Sequence, residues 1–123
     1  MEPEDLIISD KDYIRLARLE NSALLAYELS RAYVVPADQV PTNVVSMNAR
    51  VTYLDESNGL RREVELVFPE DANVEHGKIS VLSPVGLALL GLREGQSIDW
   101  SFPNNRSRSL RVLSVAIPNQ KEA

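Results

Sequence analysis

The hydrophobic period of this chain changes once, at a proline-flanked segment. Before Val35-Pro36-Ala37-Asp38-Gln39-Val40-Pro41 the apolar residues recur at helical spacing, and after it they alternate. The two prolines lack amide donors and push their predecessors out of the α region, so this segment is the natural boundary. The expected division is a helical unit and linker over residues 1–41 and a sheet unit over residues 42–123.

The helical signal runs over residues 9–33. Ser9 followed by Asp12 resembles a capping box with Asp in the place of Glu. Tyr13, Leu16, Ala17 and Leu19 have helical spacing. Glu20-Asn21-Ser22 is a polar break, and Ser22 can cap a second helix carrying Leu25, Leu29, Ala32 and Tyr33. The pattern fits a short antiparallel hairpin of two helices, or one helix bent at Asn21-Ser22. Ahead of it, Leu6-Ile7-Ile8 is an apolar run suited to a sheet edge.

The alternating signal begins at Val44. Val45, Met47, Ala49, Val51 and Tyr53 alternate with polar residues, which predicts one long strand with a buried face. Asn58-Gly59 is a hairpin signal, and Val64, Leu66 and Phe68 alternate on the returning strand. Pro69 to Gly77 reads as a loop and Lys78 to Leu82 as a strand. Pro84 suits the first position of a short helix ending at Gly91, a natural left-handed cap. Ile98, Trp100 and Phe102 alternate, and Leu110 to Ile117 form the last strand. The expected architecture is α+β, with one antiparallel sheet, one small covering helix, and Val51, Leu66 and Trp100 buried.

Composition removes several functions. The chain of 123 residues has no cysteine, which excludes disulfides, thiolate metal sites and cysteine nucleophiles. Its net charge is −5, against general nucleic-acid binding, which draws its affinity from clustered Lys and Arg. The charge is uneven: residues 76–123 hold six bases and three acids. No apolar run approaches the roughly 18 residues of a membrane span, and Met1-Glu2-Pro3-Glu4-Asp5 is too acidic for a signal peptide. A cytoplasmic protein is expected. The single histidine, His76, lies in a polar loop without partner ligands, no serine stands in a nucleophile elbow, and Gly86 and Gly91 form no phosphate loop. The residues taken alone therefore indicate a non-enzymatic interaction domain with no catalytic residues, metal or cofactor.

The stretch Ile79-Ser80-Val81-Leu82-Ser83-Pro84-Val85-Gly86-Leu87-Ala88-Leu89-Leu90-Gly91-Leu92 resembles the C-terminal domain of the bacterial transcript cleavage factors GreA and GreB. Val44 to Val51, Pro84 to Leu92 and Ser97-Ile98-Asp99-Trp100 look most like one branch of that family, the regulators of nucleoside diphosphate kinase (Rnk). The resemblance implies an FKBP-like C-terminal fold behind a short coiled-coil-like hairpin. It also implies binding to RNA polymerase near the secondary channel, with DNA and RNA met only through polymerase and any effect on nucleoside diphosphate kinase levels indirect. In Gre factors a long coiled coil enters that channel and acidic residues at its tip help hold a catalytic magnesium. Here the tip, Glu20, Asn21 and Ser22, carries one carboxylate on short arms, so transcript cleavage is not expected.

The expected partner-binding residues are Leu82, Ser83, Pro84, Val85 and Leu87, with Arg93 as a rim charge. Proline stiffens the turn, and this segment has more apolar groups than one short helix can turn inward. Gre-type domains often carry a polar residue where Leu82 stands. The alternative is a self-associating or metabolic-partner adaptor that uses Leu25, Leu29, Ala32 and Tyr33 as a dimer seam. A transcript cleavage enzyme using Asp10, Asp12 and Glu20 is a third reading. A monomer is expected, with a weak dimer as its alternative.

Overall fold

The computed structural model describes residues 6–19, 22–101 and 107–117. Ten elements follow in order: β1 (Leu6–Ser9), α1 (Asp10–Ala17), α2 (Ala23–Ser30), β2 (Ala32–Val35), β3 (Arg50–Asp55), β4 (Leu60–Val67), β5 (Lys78–Ser80), α3 (Pro84–Leu89), β6 (Ser97–Ser101) and β7 (Ser107–Ala116). Short 3₁₀ turns lie at Ala37–Gln39, Pro69–Asp71 and Val74–His76. No helix among the described residues is long and apolar enough to cross a membrane.

Both N-terminal helices begin where a serine can satisfy an orphan amide. Ser9 Oγ accepts from the Asp12 amide at 3.0 Å and Ser22 Oγ from the Leu25 amide at 3.1 Å. Each helix is only eight residues long, so its stability comes from packing more than from propensity. Leu16 and Leu25, nearly inaccessible, join Leu6 and Ile8 in one core with Val51, Leu66, Leu89 and Leu110. Polar contacts add to this attachment: Asp12 accepts the Met47 amide, Asp10 accepts the Ala37 amide, and the Arg15 guanidinium stacks 3.8 Å over the Phe68 ring.

The main sheet has the order β5-β4-β3-β7-β6. Three of its pairings are antiparallel, and the β3–β4 hairpin turns through Gly59, whose φ of +75° lies in the left-handed region. Three expectations need correction. The sheet is not wholly antiparallel, because β5 pairs parallel to β4. The two turns between Pro69 and His76 carry the chain back far enough for β5 to enter in the same direction, and they leave it three residues long.

The strand expected from Val44 starts at Arg50. Val45, Met47, Ala49, Val51 and Tyr53 are all buried as the alternation implies. However, Asn48 takes a φ of +68° in a turn, so the stretch before Arg50 alternates without forming a ladder.

The second helix stops at Ser30. Ala32 and Tyr33 belong to β2, which pairs parallel to β1 in a separate two-stranded sheet. The aromatic and β-branched run Tyr33-Val34-Val35 favours extended backbone, and Pro36 ends it.

Two burial expectations also change. Val51 and Leu66 are fully buried, but Trp100 is half-buried on edge strand β6. Leu25 and Leu29 face the core and are not available as a dimer seam.

Candidate functional site, a cleft beside the serine-proline turn

The turn before α3 is built by one serine side chain. Ser83 Oγ donates to the Ser80 carbonyl at 2.7 Å and accepts the Gly86 amide at 3.1 Å, tying β5 to the first turn of the helix. Ser80 Oγ accepts the Leu82 amide at 3.0 Å. Pro84 occupies the first helical position, where its missing N–H costs nothing and its fixed φ is already helical. Gly86 lets the helix sit directly on β5: a Cβ there would stand 2.2 Å from the Ser80 carbonyl oxygen. The turn is fixed by backbone contact before any partner arrives.

A cleft of about 570 Å³ opens beside it. Ser83, Pro84 and Val85 form one wall; Val64 and Ile79, from adjacent strands, and Tyr53 contribute apolar surface. Val74, 83% exposed, also lines the cleft. Arg61 and Arg62 line it from β4, and neither makes an ion pair among the described residues. Glu63 also lines it, 3.8 Å from Arg50.

Tyr53 is 5% exposed, and its hydroxyl has no hydrogen-bond partner among the described residues. Burial pushes the Tyr53 phenol above its ordinary value, against the opposing charge of Arg62, so it stays a neutral hydroxyl. At the end of β3, Asp55 is buried and receives Arg108 at 2.7 Å, together with the Ser57 amide and hydroxyl. Burial raises the Asp55 carboxyl, but these hydrogen bonds and the Arg108 charge outweigh it and hold it below its ordinary value.

The structure brings together only part of the expected set. Ser83, Pro84 and Val85 line the cleft, with Pro84 exposed. Leu82 is half-buried against the core. Leu87 is 2% exposed, so it anchors α3 and offers no docking surface, because its face of the short helix points at the sheet. Arg93 lies away from the cleft, bridged to Val44, with its amide donating to Gln96 Oε1 at 3.0 Å. Ser22 is the cap of α2, while Glu20 and Asn21 lie outside the described residues.

Sequence reasoning missed Tyr53, Arg61, Arg62, Val74 and Ile79. Their convergence depends on the parallel entry of β5, which no local pattern announces. Arg61-Arg62 within an otherwise alternating strand was the one available signal.

Residues 40–117 match the family described as transcription elongation factor, GreA/GreB, C-terminal. The chain is 37% identical over 119 residues to the regulator of nucleoside diphosphate kinase of Escherichia coli K12, covering 89% of this chain and 88% of that one. It is 38% identical over 92 residues to the transcription elongation factor GreA of Thermodesulfovibrio yellowstonii, covering 75% of this chain and 58% of that protein. Among solved structures, a GreA/GreB elongation factor from Nitrosomonas europaea superposes with a TM-score of 0.71 at 35% identity, over 92% of this chain and 98% of that one. The fold alone is shared with GreA factor homolog 1 of Thermus thermophilus, with a TM-score of 0.51 at 22% identity over 92% and 99% of the two chains. By these matches, the chain belongs to the GreA/GreB family of transcription elongation factors.

Proposed function

We propose that this protein binds RNA polymerase at the Gre-factor site near the secondary channel and does not stimulate transcript cleavage. The observation that carries the reading is the rigid Ser83-Pro84 turn beside an open apolar cleft. A surface already held by backbone contacts loses little freedom on docking, so its burial is returned as affinity. Contacts with DNA and RNA come only through polymerase, and effects on nucleoside diphosphate kinase levels are indirect consequences of transcription in the cytoplasm.

The cleavage half of the reading rests on reach. Each arm of the hairpin is eight residues, about 12 Å at 1.5 Å per residue. Magnesium takes one or two carboxylates in near-octahedral geometry with waters and substrate oxygens. A tip with Glu20 as its one carboxylate, on arms this short, is poorly placed to deliver such a group. The FKBP-like fold brings no isomerase activity with it, because activity lives in the site.

The test uses backtracked elongation complexes. Alone, the protein should leave the transcript uncut. Added with a Gre factor, it should suppress that factor's cleavage, and Glu20→Ala should suppress it equally. Cleavage stimulated by the wild type and lost in Glu20→Ala would restore the enzyme reading. No effect on Gre-stimulated cleavage at saturating protein would remove the proposed occupancy.

A further inference from the structure

We infer that β6 accepts an extended protein segment as an added strand, one that carries a lysine or arginine between two apolar residues. β6 and β5 are the opposite edges of the main sheet, so this surface is separate from the cleft beside the serine-proline turn and does not depend on the polymerase reading.

The backbone of β6 is open on its outer side. The Val112 amide donates to the Gln96 carbonyl at 3.0 Å and the Gly95 amide to the Val112 carbonyl at 2.7 Å. On the other side of β7, the Ser109 carbonyl accepts the Glu56 amide at 2.7 Å. Residues 108, 110 and 112 of β7 therefore turn their backbone groups toward β6, where Trp100 and Ile98 stand opposite Arg108 and Leu110. Ser97 and Asp99 turn their amides and carbonyls outward, and these groups have no partner among the described residues. Such a row is a template for another strand.

A groove accompanies this edge. A cavity of about 540 Å³ is lined by Tyr27, Glu28 and Arg31 of α2 and by residues 97–100 of β6. Ile98 and Trp100 are half-buried against the core and supply its apolar surface. Glu28 and Arg31 pair at 2.9 Å, so together they add no net charge. An added strand gains main-chain hydrogen bonds from the edge and places alternate side chains against Ile98 and Trp100.

Asp99 selects the occupant. Its side chain is exposed on the other face of the strand, with no cation within 4.0 Å among the described residues. Its carboxylate is 2.9 Å from Ser109 Oγ, which is also 3.1 Å from the Glu56 carboxylate, and one hydroxyl hydrogen serves only one of them. In the antiparallel pairing of two copies that aligns β6 over its full length, Asp99 stands opposite the Asp99 of the second copy, and like charges directly opposite destabilise a pair. A segment with Lys or Arg at that position, flanked by apolar residues on the groove side, meets both faces.

Trp100 is the chain's one tryptophan, so its fluorescence reports on the groove directly. The probes are two peptides of about ten residues without aromatic side chains, centred on Val-Lys-Val or Val-Glu-Val and otherwise identical. They are titrated into the full chain as wild type, Asp99→Lys and Ser97→Pro, each with its unfolding midpoint checked. Ser97 is the first residue of β6, a position where proline is tolerated, and proline removes its outward amide. The wild type should bind the lysine peptide about threefold or more tighter than the glutamate peptide, and Asp99→Lys should reverse that order. Ser97→Pro should weaken the lysine peptide by about threefold or more. In the wild type, saturating lysine peptide should slow hydrogen exchange at the Ser97 and Asp99 amides.

No fluorescence response of the wild type to either peptide at about 1 mM overturns the inference and leaves Asp99 as a charge that keeps the edge unpaired. Equal binding of the two peptides, or an order that Asp99→Lys does not reverse, overturns the basic chemistry of the partner. Unchanged exchange at the two amides overturns strand addition. Concentration-dependent dimerisation of the wild type that Ser97→Pro abolishes gives the edge to a second copy and overturns the inference as well.

Discussion

Replacing Gly86 by alanine tests whether the docking turn is as rigid as its contacts imply. The added methyl carbon would stand 2.2 Å from the Ser80 carbonyl oxygen, 3.0 Å from Ser83 Oγ and 3.0 Å from the Val81 Cα. Two of these are backbone atoms, so no side-chain rotation relieves the clash. The chain must open by roughly an ångström, and this acts directly on the Ser83 Oγ bond to the Ser80 carbonyl at 2.7 Å. Overpacking of this kind costs about 1–3 kcal/mol, and each weakened turn hydrogen bond about 1 kcal/mol more. The gain in helix propensity from glycine to alanine returns about 1 kcal/mol. The net expectation is a loss of about 1–3 kcal/mol.

In urea, with a slope of about 2 kcal/mol per molar, the unfolding midpoint should fall by roughly 0.5–1.5 M. Gly59→Ala is the comparison: nothing lies within 4 Å of its Cβ position, but its φ of +75° makes an L-residue costly by about 1 kcal/mol. If Gly86→Ala unfolds at or above the wild-type midpoint, propensity outweighs crowding and the argument for a rigid turn is wrong.

Two further outcomes follow from the same contacts. Asp55 is held below its ordinary value of 3.8, so its contribution is present above that pH and is lost as pH falls through the lower folded value. Urea titrations across acid pH should therefore show wild-type stability declining below about pH 3.8, with Asp55→Asn less stable at neutral pH and lacking that part of the decline; parallel curves would count against it. In competition for core polymerase, a folded Val85→Asp variant should lose about tenfold or more, from about 1.5–3 kcal/mol of apolar contact, whereas Pro84→Ala should lose only the 0.4–1 kcal/mol of loop pre-organisation. Equal competition by both variants would place the contact away from Val85.

Local chemistry was the legible part of this chain. Ser9, Ser22 and Ser83 mark three helix starts and Pro84 the first residue of α3; Gly91 is left-handed just past its end, φ +82°, but it sits in a turn closed by the Leu92 amide on the Leu89 carbonyl and gives its own amide to Val45, so it does not cap the helix. The alternation after Val44 identifies the buried faces even where no strand forms, because burial follows side-chain direction while a ladder needs a partner at the right register. The parallel pairings of β4–β5 and β1–β2 were not legible. Parallel strands carry no turn signal of their own, and β1 and β2 are separated by two helices. The site divided in the same way. Ser83 and Pro84 are visible because the turn chemistry is local, whereas Tyr53, Arg62 and Val74 meet them only through tertiary placement.

Val74→Asp offers the most direct test of the central claim, that the cleft beside the Ser83-Pro84 turn binds polymerase. Val74 is 83% exposed where it lines the cleft, so the change leaves the core untouched. The measurement is the concentration of protein that displaces half of a labelled Gre factor from core polymerase at fixed salt. The wild type should displace it. Val74→Asp, with an unchanged unfolding midpoint, should require about tenfold more protein, through a charge placed in an apolar contact. Displacement by Val74→Asp at the wild-type concentration would contradict the assignment of this cleft as the polymerase contact.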